Sequence, residues 1–220
     1  MKAIQKYIDH TILAPTTPAV SIDQLCVEAK KYGFAAVCVP PFYVQLAKQI
    51  LLNTDVKVAT VIGFPFGYSS TSAKLAEVRQ AIADGADELD FVHNLAALKN
   101  DDWNYLSKEI NTCLQPIRLA ERCVKVIIES GMLTDKEIIQ SCELYARHKV
   151  DFLKTSTGYA EKGARIESVK LMRKLLPEEI KIKASGGIRT LAAVQEYIEA
   201  GAERIGTSSG LQIMREVQKL

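Results

Sequence analysis

Apolar and polar positions along the chain follow two periods that take turns. Short runs rich in β-branched residues read as strands: "YIDHTI", "AAVCV", "VKVATVIG", "ELDFVHN", "VKVIIE", "DFLKTS", "IKIKAS" and "RIGTSS". Between them, apolar residues recur three and four apart. That spacing predicts helices over 21–32, 41–52, 71–84, 101–120, 134–148, 165–176 and 190–200, with a last one from about 209. Ser21, Thr71 and Thr134 are the predicted N-caps, and the glycine closing "SIDQLCVEAKKYG" suits a left-handed helix end. Eight strands alternating strictly with eight helices predict a (β/α)8 TIM barrel. The longest candidate loop, around 63–70, is short and no low-complexity linker divides the chain, so one domain is expected over 1–220. A doubly wound sheet is the competing arrangement. It would carry a glycine-rich fingerprint after the first strand, where this chain has "IDHTILAPTT". "GFAAVCV", "GADELDF", "KVDFLKT" and "GAERIGT" each open an even-numbered strand, an echo that a quarter-barrel repeat or a shared helix-to-strand turn would give.

Period two also sorts each strand into faces. Phe152 and Lys154 share a face, as do Lys181 and Lys183; Glu88 and Asp90 alternate with Leu89 and Phe91, and Lys125 and Glu129 with Val124, Val126 and Ile128. In a barrel the aliphatic face meets the helices, so the charged face points inward. Asp9, Cys38, Asp90, Glu129, Lys154 and Lys183 then converge from neighbouring strands. Asp90, Glu129, Lys154 and Lys183 lie late in theirs, at the C-terminal mouth where barrel active sites are built. Lys125 and Lys181, early in their strands, belong by position to an interior ion-pair set, because a buried charge without a partner is costly.

Composition narrows the classes. The 220 residues carry 28 Lys+Arg against 26 Asp+Glu, a net charge of +2 with no basic tract, which gives no footprint for nucleic acid. No stretch approaches the length of a membrane span, and "MKAIQKYIDHTIL" lacks the apolar core of a signal peptide. Five cysteines without a CxxC pair read as reduced thiols of a cytoplasmic protein. Three scattered histidines show no metal-ligand spacing, so no metal is expected.

Two lysines side by side offer specific chemistry. A free lysine has a pKa near 10.4, so only about one in 2,500 is neutral at pH 7. A second ammonium about 6 Å away, at an effective dielectric of about 20, adds roughly 2.8 kcal/mol of repulsion, about two pKa units. Desolvation lowers the value further. The neutral amine attacks a carbonyl, and the resulting iminium accepts the electrons of an adjacent carbon–carbon bond as it breaks. A nearby carboxylate, most simply Asp90, moves protons through a water. "SGGI" (185–188) and "GTSSG" (206–210) follow strands seven and eight, where this fold commonly holds phosphate on backbone N–H groups. Gly158 sits at the same rim, and Lys162 and Arg165 are candidates to add charge there.

"IDHTIL", "GFAAVCV", "VKVATVIGFPFG", "GADELD", "VKVIIE", "LKTSTGY", "IKASGGIRT" and "AGAERIGTSSG" together resemble the 2-deoxyribose-5-phosphate aldolase family, order and spacing included, from about residue 8 to 213. The resemblance implies a cofactor-free class I aldolase on a (β/α)8 barrel. It would cleave 2-deoxy-D-ribose 5-phosphate reversibly to acetaldehyde and D-glyceraldehyde 3-phosphate, in deoxynucleoside breakdown, and commonly as a homodimer or higher homo-oligomer. It implies that Lys154 forms the Schiff base, that Lys183 is the cation beside it and that Asp90 transfers protons. Asp9, Thr11, Cys38 and Thr157 would contact the substrate, and Gly158, Gly186, Gly187, Ser208 and Ser209 its phosphate. The chain departs from the family pattern at Pro40-Pro41, Asn94-Leu95-Ala96, Ser130-Gly131 and Lys162-Gly163. It ends "REVQKL", without the C-terminal tyrosine that assists proton transfer in some members. A phosphosugar isomerase or synthase working through carboxylates is the alternative on this barrel, and a non-catalytic phosphate-binding barrel is a third.

Overall fold

The computed structural model describes residues 3–219; Met1, Lys2 and Leu220, which the predicted domain of 1–220 includes, lie outside them. Eight parallel strands close a barrel in sequence order: β1 (Ile8–Thr11), β2 (Ala36–Val39), β3 (Lys57–Ile62), β4 (Glu88–Val92), β5 (Cys123–Ile127), β6 (Phe152–Lys154), β7 (Lys181–Ser185) and β8 (Arg204–Thr207), with β8 pairing back onto β1. This is the predicted (β/α)8 barrel. Around it run α1 (Ala19–Tyr32), α2 (Val44–Ile50), α3 (Thr71–Ala83), α4 (Leu95–Lys99), α5 (Trp103–Leu119), α6 (Asp135–Arg147), α7 (Ile166–Leu175), α8 (Leu191–Glu199) and α9 (Gly210–Val217).

The described residues thus hold nine α-helices, where the apolar spacing predicts eight. The extra one, α4, exists because the Asn94 side chain accepts from the Ala97 N–H, and Asp102 then caps α5 by accepting from the Tyr105 N–H. Two predicted caps are displaced. The Ser70 side chain, not Thr71, accepts from the Ala73 N–H. Ser21 lies inside α1, whose N-cap is the extended Pro18. Thr134 is the cap predicted, in a reciprocal box with Glu137 that typically contributes about 1 kcal/mol. Gly33 ends α1 as expected, at φ +66° with its N–H on the Ala29 carbonyl.

Outward strand residues such as Val37, Val58, Leu89, Val126, Leu153, Ile182 and Ile205 are buried against inward helix residues such as Leu25, Val78, Ile110, Ile138, Val169 and Val194. Each such side chain contributes about 1.5–3 kcal/mol on leaving water. The barrel interior is split. On the β2–β3 side it is small and apolar, with Ala36, Cys38, Ala59 and Val61. On the remaining side it is filled by ionised groups from β1 and from β4 to β8.

Candidate active site

Strand register sets the charged interior. Lys154 and Lys183 are direct partners across β6 and β7, and Asp90 partners Lys125 across β4 and β5. Period two turns all four inward. Asp90 is the hub: its Oδ2 accepts from Lys154 Nζ at 2.7 Å and from Lys183 Nζ at 2.8 Å, and its Oδ1 accepts from Lys125 Nζ at 2.8 Å. The amines of Lys154 and Lys183 therefore lie within two hydrogen-bond lengths of each other. Asp9 takes Lys183 from the β1 side, and Arg204 closes the lower end by donating to both Asp9 and Glu88. Beneath them Phe152 forms the floor, with the Lys125 amine and Arg204 guanidinium over its ring.

The proton affinities follow from these contacts. Burial lowers the Lys154 pKa and Lys183 beside it lowers it further, against the opposing pull of Asp90 and a smaller one of Cys38. Burial pulls Lys183 the same way, but Asp9 and Asp90 more than offset it, so its pKa rises. Lys125 rises well above the ordinary lysine value because Asp90, Glu88 and Asp9 outweigh its burial. Burial works against the Asp90 charge, yet Lys125, Lys154 and Lys183 hold its carboxyl well below the usual range. Of the three interior lysines, only Lys154 is shifted toward neutrality.

Above Lys154 opens a cavity of about 370 Å3 at the C-terminal mouth. Thr11, Lys154, Thr157, Gly158, Gly186, Gly187 and Ser208, all singled out in the sequence, line it. Asp9, Cys38, Asp90 and Lys183 sit below its wall with no exposure, and burial pushes the Cys38 thiol up to about 11. Ser209 stands back from it, its N–H on Thr207 Oγ1. Gly186 and Gly187 have φ of +93° and +83°, the left-handed region that glycine tolerates and most side chains do not, and Gly158 has +89°. At these three positions the cavity wall is main chain. Lys162 and Arg165 are exposed and do not line it; Arg165 instead donates to Ser168, and the cation on the wall is Arg189.

Two interior assignments change. Lys181 is exposed at the lower rim, its amine 5.7 Å from the centre of the Phe152 ring, because it opens β7 before the barrel closes around it. Glu129 lies past the end of β5, at φ +51°, where its carboxylate takes both the N–H and the hydroxyl of Thr157. Burial raises its pKa, and these hydrogen bonds pin the loop that follows Lys154. The departures at Ser130-Gly131 and Lys162-Gly163 fit that loop. A Cβ on Gly131 would fall 2.3 Å from the Lys162 carbonyl oxygen, and one on Gly163 2.3 Å from that of Gly186. Glu88 is on the inward face, as its alternation with Leu89 predicts, and it pairs with Lys125 and Arg204. Two further contributors are not among the predicted residues. Arg204 begins its strand on the inward face, so its parity is the available signal. Gly206 leaves room for Lys183 to cross to Asp9, since a Cβ there would meet Lys183 Cε at 3.1 Å.

Residues 3–216 match the family described as DeoC/LacD family aldolase. A deoxyribose-phosphate aldolase of Caldicellulosiruptor saccharolyticus is 48% identical, covering 98% of each chain. One of Thermococcus gammatolerans is 50% identical over 96% of this chain and 95% of its own. Among solved structures, one described as "QR15, an Aldolase" superposes with a TM-score of 0.94 at 40% identity, covering 100% of this chain and 97% of its own. The tetrameric deoxyribose phosphate aldolase of Aeropyrum pernix superposes with a TM-score of 0.91 at 30% identity, covering 98% and 91%. A buried amine pair under a glycine-walled mouth, on a chain that matches end to end at this level, places it: the chain belongs to the DeoC/LacD family of aldolases.

Proposed function

We propose that this chain is a class I deoxyribose-phosphate aldolase, with 2-deoxy-D-ribose 5-phosphate as substrate and Lys154 as the Schiff-base residue. The observation that carries it is the sharing of one Asp90 oxygen by Lys154 and Lys183, directly beneath the cavity. The neutral Lys154 amine adds to the C1 aldehyde of the open-chain sugar, and loss of water leaves the iminium. Breaking the C2–C3 bond sends its electron pair to the iminium nitrogen as an enamine forms. The C3 hydroxyl gives up its proton and becomes the aldehyde of glyceraldehyde 3-phosphate. Protonation of the enamine at C2 and hydrolysis release acetaldehyde and the free amine. Asp90 takes up a proton and returns it, passing protons between the two amines and a water. The phosphate sits on the main chain of Gly158, Gly186, Gly187 and Ser208, with Arg189 beside it, in the position this fold uses for phosphate. Thr11 and Thr157 contact the sugar, while Asp9 and Cys38 shape the pocket from below.

The same reading takes the chain as a single barrel domain and a homo-oligomer, which light scattering would test, acting in the cytoplasm without a resident metal or cofactor. No helix among the described residues is long and apolar enough to cross a membrane, and the five cysteines are unpaired. The chemical test is borohydride trapping with acetaldehyde. The expected result is one covalent adduct by intact mass, mapped to Lys154, together with release of glyceraldehyde 3-phosphate from the sugar phosphate. No adduct anywhere from pH 6 to 9 would falsify the Schiff-base route.

A further inference from the structure

The ion pairs inside the barrel do not balance. Four cations, Lys125, Lys154, Lys183 and Arg204, make direct contact with only three carboxylates, Asp9, Glu88 and Asp90. They are not shared equally. Lys125 reaches Glu88 at 2.6 Å, Asp90 at 2.8 Å and Asp9 at 3.8 Å. Lys183 reaches Asp9 and Asp90, and Lys154 reaches Asp90 alone. Arg204 is at the opposite end from the cavity, yet it occupies Asp9 Oδ1 and both oxygens of Glu88. Glu88 still serves Lys125 and Asp9 Oδ2 still serves Lys183, so Lys154 is the one lysine with Asp90 as its sole carboxylate.

An arginine cannot relieve this excess, because its guanidinium stays protonated at any working pH. The surplus proton must leave a lysine, and the lysine with one carboxylate gives it up first. The other titratable groups facing Lys154 do not change the ranking. Cys38 from β2 is neutral, held so by burial. Glu129, beyond β5, is hydrogen-bonded to Thr157 and contacts none of the four cations, and its interaction with Lys154 is the smallest of those acting on it. At the floor, Lys181 opens outward onto Phe152, and Glu203 binds Arg173.

We propose that Arg204 is a positioning residue for the aldolase reaction: by holding Asp9 and Glu88 at the closed end of the barrel, it leaves the interior one cation in excess and so frees the amine of Lys154. The inference rests on the Schiff-base reading and adds to it a residue that touches no substrate.

The test follows the rate of borohydride-trapped adduct at Lys154 against pH, from 6 to 10, in the full chain. Arg204→Met leaves three cations on three carboxylates and should move the profile about one pH unit toward alkali, the effect of a unit charge roughly 10 Å away at an effective dielectric of about 20. Glu88→Gln enlarges the excess and should move it toward acid. The double variant Arg204→Met/Glu88→Gln restores an excess of one and should return the profile close to its starting position, and Arg204→Lys should hardly move it. Loosened packing alone cannot produce opposite shifts that cancel. A wild-type profile in Arg204→Met, or an alkaline shift in Glu88→Gln, overturns the inference while leaving the Schiff base in place. If Arg204→Met does not fold, Glu88→Gln and Arg204→Lys decide the matter by direction. Absence of any adduct in the wild-type chain would instead count against the aldolase reading itself.

Discussion

Lys154 inside the barrel and Lys74 outside it are both buried lysines in contact with a carboxylate, and they are built for opposite ends. Lys74, on α3, donates to Glu109 on α5 at 2.9 Å and to the Val92 carbonyl at the end of β4, with the Phe91 ring beneath its amine. Burial lowers its pKa and raises that of Glu109, each opposed by the other. The pair is one cation to one anion, and neither partner lines the mouth cavity. Lys154 shares its only carboxylate with a second ammonium and opens onto space of about 370 Å3. Burial alone therefore does not make a reactive amine. What distinguishes Lys154 is that its partner is already claimed and that it lines the mouth cavity.

The largest effects expected separate the two lysines completely. Lys154→Met should abolish the trapped adduct and lower turnover by about a thousandfold or more, since no other amine faces the cavity from β6. Its fold should survive, because removing Lys154 relieves the interior excess. Lys74→Met should do the reverse. It leaves Glu109 buried without its cation, at a cost of about 3–5 kcal/mol read by urea unfolding, while adduct formation on the folded fraction persists. Lys74→Met/Glu109→Leu should recover much of that stability, as replacing both members of a buried pair often does. Loss of the adduct in folded Lys74→Met would end the distinction drawn between them.

A smaller effect sharpens the contrast within the barrel. Lys183→Leu removes the competitor for Asp90 Oδ2 and leaves that oxygen to Lys154, with Lys125 still on Oδ1, so its arrangement moves toward that of Lys74. Losing a neighbouring like charge raises the Lys154 pKa. Adduct formation needs the neutral amine, so the fraction ready to react falls at neutral pH and the trapping profile moves toward alkali. About two pH units are expected for ammonium groups about 6 Å apart at an effective dielectric of about 20. An unmoved profile would assign the depression of Lys154 to burial alone.

The chain announces much of this arrangement. Strand positions, the inward turn of Lys154, Lys183 and Asp90, and the glycine loops after β7 and β8 all follow from period two and from turn chemistry, which are local properties. What escaped was non-local. Glu129 lies in phase with Lys125, but β5 ends at Ile127 and the backbone turns left-handed, so its carboxylate serves the next loop instead of the barrel axis. Lys181 has the inward parity too, yet it opens β7 at the rim and stays in water. Arg204 opens β8 with no charged residue in phase after it, so its interior role shows only when the closed barrel brings Asp9 and Glu88 within reach of it. Similarly, α4 depends on an asparagine cap that the apolar spacing does not register.

Tyr159 tests how far the comparison extends beyond charge, and its effect should be the smallest. Its hydroxyl donates to the Leu13 carbonyl at 2.9 Å, a strap from the loop after β6 to the loop after β1, and its ring meets Phe64 edge-on at 5.3 Å. It lines both the mouth cavity and a neighbouring pocket of about 350 Å3 that includes Phe66, Tyr68, Leu95 and Met132, so its ring is a shared wall. Tyr159→Phe keeps that wall and deletes one half-exposed hydrogen bond, worth about 1 kcal/mol or less. KM for the sugar phosphate should rise by no more than about fivefold, with kcat and the trapping profile unchanged. A fall in kcat with an altered pH dependence would show instead that the hydroxyl moves protons in the reaction, and the chemistry could no longer be placed wholly in the buried amines and Asp90.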